Sequence, residues 1–218
     1  PAHVDADTLD WVASPVAGVE RRRLERVGDE VARVTSLVRY APNSSFDAHT
    51  HGGGEEFLVL RGVFGDEHGD YPEGTYVRNP VGSAHTPRVG PRGCLIFVKL
   101  WWMHPEDDPR VVVDTHDPTR WRQTSYGARL DLFASPRERV ALLRLAPGQT
   151  WAPEEALGGD ELFVISGEAR TRETPLARHH WQRRPGCARA PLTSADGALL
   201  YVKSGHLDDP PPLPEQAT

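Results

Sequence analysis

Three histidines and a glutamate lie within a short stretch of this chain, at His49, His51, Glu55 and His85. Imidazole nitrogens and carboxylate oxygens are the donors that divalent transition metals accept. His49 and His51 are two apart. On a strand such residues share a face, so the pair presents two imidazoles to one interior. Gly52-Gly53-Gly54 then lets the backbone bend freely. Glu55 opens the next segment and shares its face with Phe57 and Val59, while Glu56 points outward. An inward carboxylate among apolar side chains needs a compensating cation. His85, after Pro80-Val81-Gly82-Ser83-Ala84, supplies the third imidazole. This donor set suits one divalent transition metal: Fe, Zn, Mn, Ni or Co. An octahedral ion held by four protein ligands keeps two positions for water, substrate or dioxygen. Tetrahedral zinc would be closed unless it loses a ligand or becomes five-coordinate. Tyr76 and Arg78 share parity on the segment before His85. With Phe57 they are the candidate pocket-lining residues.

The elements that must position these groups are short and strand-like. Val34 to Tyr40, Glu55 to Leu60, Gly74 to Arg78 and Cys94 to Leu100 are rich in Val, Leu, Tyr and Phe. No stretch shows a long helical period. Turns are expected at Gly52-Gly53-Gly54, Arg61-Gly62, His68-Gly69-Asp70, Pro72-Glu73-Gly74 and Val81-Gly82.

The chain is also written twice. Gly54-Glu55-Glu56-Phe57-Leu58-Val59-Leu60-Arg61-Gly62 is echoed 105 residues later by Gly159-Asp160-Glu161-Leu162-Phe163-Val164-Ile165-Ser166-Gly167. Arg39-Tyr40-Ala41-Pro42 meets Arg144-Leu145-Ala146-Pro147 at the same offset. Gly93-Cys94-Leu95 to Lys99 meets Gly197-Ala198-Leu199 to Lys203 at 104. Two copies of one β-domain follow: residues 1–105, residues 106–207, and a Pro-rich tail at 208–218. The join near Trp101 to Arg120 holds three prolines, with Val111-Val112-Val113 as a short strand. The two copies are expected to share a buried sheet face, with Trp101, Trp102 and Trp121 partly covered. The second copy has lost the ligands: His49 meets Glu154, His51 meets Ala156, Glu55 meets Asp160, and His85 meets Ala190 or Arg189. His179 and His180 match no ligand position. Arg39 with Arg144, and Lys99 with Lys203, recur in both copies and read as architectural.

Composition narrows the function classes. The formal charge is −6, from 25 basic and 31 acidic residues, so the basic face of a nucleic-acid binder is not expected. Glu20-Arg21-Arg22-Arg23 alternates with Val19 and Leu24 and reads as a solvated strand. Cys94 and Cys187 do not make a disulfide framework. No signal-peptide pattern and no membrane-length apolar run is present, and the protein reads as soluble and cytoplasmic. His68 is expected in solvent, and His104 and His116 in a solvated linker.

The spacing of the ligand candidates resembles the two signature motifs of the cupin superfamily. His49-Thr50-His51, Glu55 and Gly62 match the first; Gly74, Pro80-Val81-Gly82 and His85 match the second. The Asn that often follows is absent, position 89 being Val. The segment His49–Pro87 is closest to the cupin domain of the ChrR-like anti-sigma factors and their stand-alone relatives. The resemblance covers Gly18 to Leu100, and the second half through the internal repeat. It implies an all-β bicupin, two tandem jelly-roll barrels, with Glu55 rather than Glu56 as ligand. The helical zinc domain of those anti-sigma factors has no counterpart, since no Cys precedes Cys94, and sigma binding is not carried over. The resemblance further implies a metal-dependent, dioxygenase-type enzyme acting on a small chelating substrate such as a diketone or hydroxyketone. The alternative is a regulatory or sensor cupin that binds zinc and a protein or small-molecule signal. A metal-stabilised structural module is a third reading. The expected partner is a small-molecule substrate or ligand, with no nucleic acid and no membrane; a homodimer is left open.

Overall fold

Val-, Leu- and aromatic-rich segments punctuated by Gly and Pro form strands along the whole chain. The computed structural model describes every residue except 29–30, 108, 154–157, 173, 187–189 and 214–218. The chain divides into two compact units. One comprises Leu9–His116 with the tail from Pro210, and the other Pro1–Thr8 with Asp117–Asp209.

The first unit is built on an eight-stranded sheet. Its main path runs Val111–Asp114, Thr75–Asn79, Glu55–Asp66, Arg88–Leu100, Arg33–Tyr40, Val19–Val27 and Val12–Ala13, with Gly69–Pro72 paired to Glu55–Asp66. His49–Thr50 and Ala84–His85 form a separate two-stranded ribbon. The second unit repeats the path strand for strand: Ala2–Asp5, His180–Arg184, Asp160–Gly167, Ala198–Ser204, Arg139–Leu145, Gly127–Ala134 and Arg122–Thr124. The expected double β-architecture is therefore present.

Two short strands pair across the join between the two halves. Ala2–Asp5 completes the second unit by pairing with His180–Arg184, and Val111–Asp114 completes the first by pairing with Thr75–Asn79. Backbone pairing at a sheet edge decides membership here, and the apolar pattern of a four-residue strand cannot reveal its partner. In its described part the tail is tied to the first unit, the Pro211 carbonyl accepting a hydrogen bond from Arg33 at 2.7 Å.

Register shows how the first core is made. Val98 pairs with Phe57, Ile96 with Val59 and with Val38 on the other side. These residues and Phe64, Val77 and Val19 point to one interior and are buried together. The opposite face of the sheet is buried as well: Thr35, Leu37, Glu56, Leu58, Tyr76, Arg78, Phe97 and Lys99. Glu56 thus points out of the barrel, as expected, but does not reach solvent. Thr35, Glu56, Tyr76 and Lys99 on this face are hydrogen-bonded, as burial demands. Lys99 Nζ donates to Thr35 Oγ1 at 2.8 Å and lies 4.4 Å from the Trp102 ring centre.

Arg61-Gly62, expected as a turn, is instead a bulge inside one long strand. The register with Arg88–Leu100 shifts on either side of this pair, at Leu60 and between Val89 and Cys94, and Gly62 sits at φ +83° where a Cβ would collide with the Gly93 carbonyl. A bulge bends and twists its strand. The strand therefore continues to Asp66 and carries Phe64 and Asp66 back toward the ribbon.

Candidate metal centre

The ribbon sets the first two imidazoles. His49 pairs with His85 across the His49–Thr50 and Ala84–His85 strands, and the His51 amide donates to the Ser83 carbonyl at 2.8 Å. The three rings form a near-equilateral group, their centres 4.7–4.9 Å apart. One nitrogen from each lies within 4.8 Å of the others. His51 Nε2 and His85 Nε2 are 3.1 Å apart. Glu55 Oε2 stands 3.4 Å from His51 Nε2 and 3.8 Å from His85 Nε2. Neighbouring ligands on an ion with bonds of about 2.1 Å are separated by about 3.0–3.4 Å; the His51–His85 and His51–Glu55 separations fall in that range. His49 is exposed, while His51, Glu55 and His85 are buried.

Hydrogen bonds orient the donors. Asp66 Oδ2 lies 3.3 Å from His85 Nδ1. A carboxylate only accepts, so Nδ1 carries the proton and Nε2 presents its lone pair to the centre. The Asp47 carbonyl does the same for His49, at 3.1 Å from Nδ1. Asp66 is held in turn by the Tyr71 hydroxyl and the His68 amide, both at 2.8 Å on Oδ1. Asn79 Nδ2 donates to Glu55 Oε2 at 3.1 Å. Such carboxylate–histidine pairs are the usual outer support of a metal ligand.

Electrostatics favours a cation. Burial, and then the His49 ring, lower His51 to about 4, so it stays neutral and ligand-ready at pH 7. Burial likewise lowers His85, against the pull of Glu55. Burial raises the Glu55 carboxyl, opposed by His85 and Asn79. Asp66, although burial would raise it, is held below the usual range by Tyr71, His68 and His85. A positive ion among these groups would offset the desolvation of Glu55.

The imidazoles open onto a cavity of about 500 Å³. Its wall includes Val19, Arg21, Val38, Tyr40, Phe46, Phe64, Val98, Leu100 and Trp101. Phe57 stands behind this wall, its ring 4.9 Å from that of Phe64. Tyr76 and Arg78 do not line the cavity. Register pairs them with Leu58 and Glu56, on the outward face. There the Tyr76 hydroxyl and Arg78 Nη1 each donate to Glu56 Oε2 at 3.0 Å. Their shared parity was readable, but the face it selects depends on a register no local pattern supplies. Arg21, read as part of a solvated strand, is a half-buried cavity residue. Its pairing with Val38 puts it on the inner face, a consequence of its parity with Val19. Asp66 was missed because the bulge that returns it to His85 leaves no periodic trace. His68 and His116 are exposed as expected.

In the second unit, Glu154, Ala156 and Arg189 lie outside the described residues, as does Cys187. Asp160, the counterpart of Glu55, is fully buried. Arg184, the counterpart of Asn79 at the same 105-residue offset, reaches both oxygens of Asp160 at 2.8 Å. A guanidinium thus pairs with the buried carboxylate of the second unit, where the Asn79 amide bonds Glu55 in the first. The only group of three metal-binding side chains found among the described residues is that of His49, His51 and His85.

The recurring Arg pair is structural in both units. Arg39 lies 4.5 Å over the Trp11 ring and bonds Glu20, while Arg144 lies 4.2 Å over Trp121.

Comparison with known proteins places the chain. The Nostoc punctiforme crystal structure with a provisional dioxygenase assignment has a TM-score of 0.72 at 15% identity, covering 99% of this chain and 86% of that one. A point mutant of Bacillus subtilis oxalate decarboxylase has a TM-score of 0.66 at 12% identity, covering 94% and 77%. The Momordica charantia 7S globulin has a TM-score of 0.64 at 12% identity, covering 94% and 84%. At these identities the likeness concerns the fold alone. A search of curated proteins found no match. The model of the ChrR cupin-like domain matches twice, over residues 1–104 and 108–208. With two such matches and two sheets of one strand order, the chain belongs to the ChrR cupin-like family and is a bicupin.

Proposed function

We propose that His49, His51, Glu55 and His85 hold one divalent transition metal, and that the first unit is a metal-dependent enzyme of dioxygenase type. The observation that carries the reading is the convergence of three imidazoles and one carboxylate on a single point at the base of a cavity. When bound, the metal would supply Lewis acidity and, if it is a redox ion, electron transfer. The chain's own residues do the rest. Asp66 and the Asp47 carbonyl fix the ring tautomers, Asn79 orients Glu55, and Phe46, Phe64, Val98 and Leu100 shield the site from water. A cavity of this volume suits a small chelating organic molecule. The related protein from Nostoc, with its provisional dioxygenase assignment, agrees with this reading.

The family match favours one alternative, a regulatory cupin holding zinc without turnover. Tag-free purification followed by elemental analysis tests the centre: close to one ion per chain is expected, and none would overturn it. Anaerobic loading with Fe(II), then addition of 2,4-pentanedione and oxygen, separates the two readings. Oxygen uptake supports the enzyme. Tight zinc with no uptake under any metal supports the regulator.

A further inference from the structure

The cavity wall carries one cationic side chain besides the imidazoles, and the metal centre does not use it. Arg21 projects from Val19–Val27 beside Val38 and lines the same space as the three imidazoles. Its neighbours in sequence are engaged elsewhere. Arg22 lies 4.6 Å over the Trp11 ring, and Glu20 bonds Arg39. Among the described residues no carboxylate is paired with Arg21. The other charged groups on the wall are Glu55, at the centre, and Asp47, which is exposed at the rim.

Two further features point the same way. A smaller recess of about 240 Å³ adjoins the cavity, sharing Arg21, Val38, Val98, Leu100 and Trp101 with it and adding Arg23 and Arg26. The recess thus carries three arginines in a chain whose net charge is −6, and a cleft of one sign concentrates ions of the other. Tyr40, on the strand beside Arg21, also lines the cavity. Its phenol is pushed up by burial and by Glu55 and pulled down by Arg21, so it remains a neutral donor within electrostatic reach of both.

We propose that the cavity takes a small carboxylate, bound by Arg21 at one end while its other oxygens face the ion that His49, His51, Glu55 and His85 would hold. The chelating end rests on the metal-centre reading; the Arg21 end does not. A guanidinium matches a carboxylate with paired donors, and the apolar wall between the two ends limits the molecule to a short carbon chain.

Two probes separate the halves of the idea: 2,4-dioxopentanoate and its uncharged relative 2,4-pentanedione. Both are titrated by calorimetry at low ionic strength into the full chain, cobalt-loaded and metal-free. The wild type should bind the carboxylate at least about tenfold more tightly, as one charge-assisted hydrogen bond provides. Arg21→Gln should remove that preference and leave pentanedione binding and metal content unchanged. Arg21→Lys should keep part of it, and Arg22→Gln, of equal charge loss on the other face, should keep all of it. Equal binding of the two probes by the wild type, no binding of either, or an intact preference in Arg21→Gln would overturn the inference. A preference that persists in a chain taking up no metal would sink the metal reading and leave the anion site standing.

Discussion

Asp66 belongs to no ligand motif, yet it decides which nitrogen of His85 faces the centre. Replacing it with Asn should leave the strand intact, because an amide oxygen still accepts from Tyr71 and the His68 amide. Outer-shell partners of this kind are worth about 10–100-fold in metal affinity. Asp66→Asn should lose that much in competition with a chromophoric chelator, while an unchanged affinity would remove Asp66 from the site. Glu55 and Glu56 test the ligand assignment itself. Glu55→Gln should abolish stoichiometric metal. Glu56→Gln should retain metal but lower the melting temperature, because Arg78 is fully buried against it and breaking a buried ion pair costs about 3–5 kcal/mol. The opposite pattern would exchange the two roles. Cys94 lies on the inner face with its thiol pushed up to about 12 by burial. A thiol is unreactive far below its pKa, so iodoacetamide at pH 8 should not label Cys94 in the folded chain. Fast labelling would show that this wall of the barrel opens. At this scale the sequence was legible where chemistry is local: four candidate ligands in one short stretch, which the fold brings close together. Asp66, Tyr71, Arg21 and Tyr40 were not, since their roles come from strands that meet only in the folded sheet.

At the scale of elements, the strands were readable and their ends were not. Glu55 to Leu60 runs on to Asp66 through the Gly62 bulge, and Cys94 to Leu100 begins at Arg88. A bulge replaces the turn that Arg61-Gly62 suggested because the partner strand continues opposite it. The same gap in knowledge placed Tyr76 and Arg78 on the wrong face. Gly53 shows why the run of glycines precedes Glu55. Trp101, at φ +63°, lays its indole on Gly52 and Gly53, where a Cβ on Gly53 would collide with the ring. Gly53→Ala should displace Trp101 from the cavity wall, shifting tryptophan emission and loosening the binding of cavity probes. Unchanged emission and binding would show that the indole adapts. The edge strands yield a second outcome. A fragment ending near Trp102 lacks Val111–Asp114, the strand that closes the first unit beside Thr75–Asn79. Residues 9–116 should bind metal and give a cooperative melt, whereas residues 1–102 should be less stable or aggregate. Equal stability of the two fragments would show that the edge strand is dispensable.

For the whole molecule, the repeat and the absence of matching imidazoles from the second copy were present in residue spacing, whereas the strand order emerged only from the pairing. The partner of Asp160 was not legible either, because Arg184 meets that carboxylate only when its strand is paired to Asp160. Arg184→Asn would restore the residue found at the matching position of the first unit. It should not create a second metal, since the matching imidazoles are missing. It should destabilise the second unit by leaving Asp160 buried and unpaired. A metal-to-chain ratio rising toward two would contradict this.

That internal guanidinium has a consequence for how the chain responds to its surroundings. A metal ion obeys mass action: its stabilising effect grows with its free concentration and vanishes when a chelator removes it. A cation covalently part of the chain has no dissociation constant and no competitor. One unit should therefore follow the metal supply while the other ignores it. Amide exchange with and without chelator should show this strand by strand. Protection should fall in Glu55–Asp66 and Ala84–His85 and stay constant in Asp160–Gly167 and His180–Arg184. The same fold, copied once, would then hold one half whose rigidity reports the metal around it and one half whose rigidity is its own.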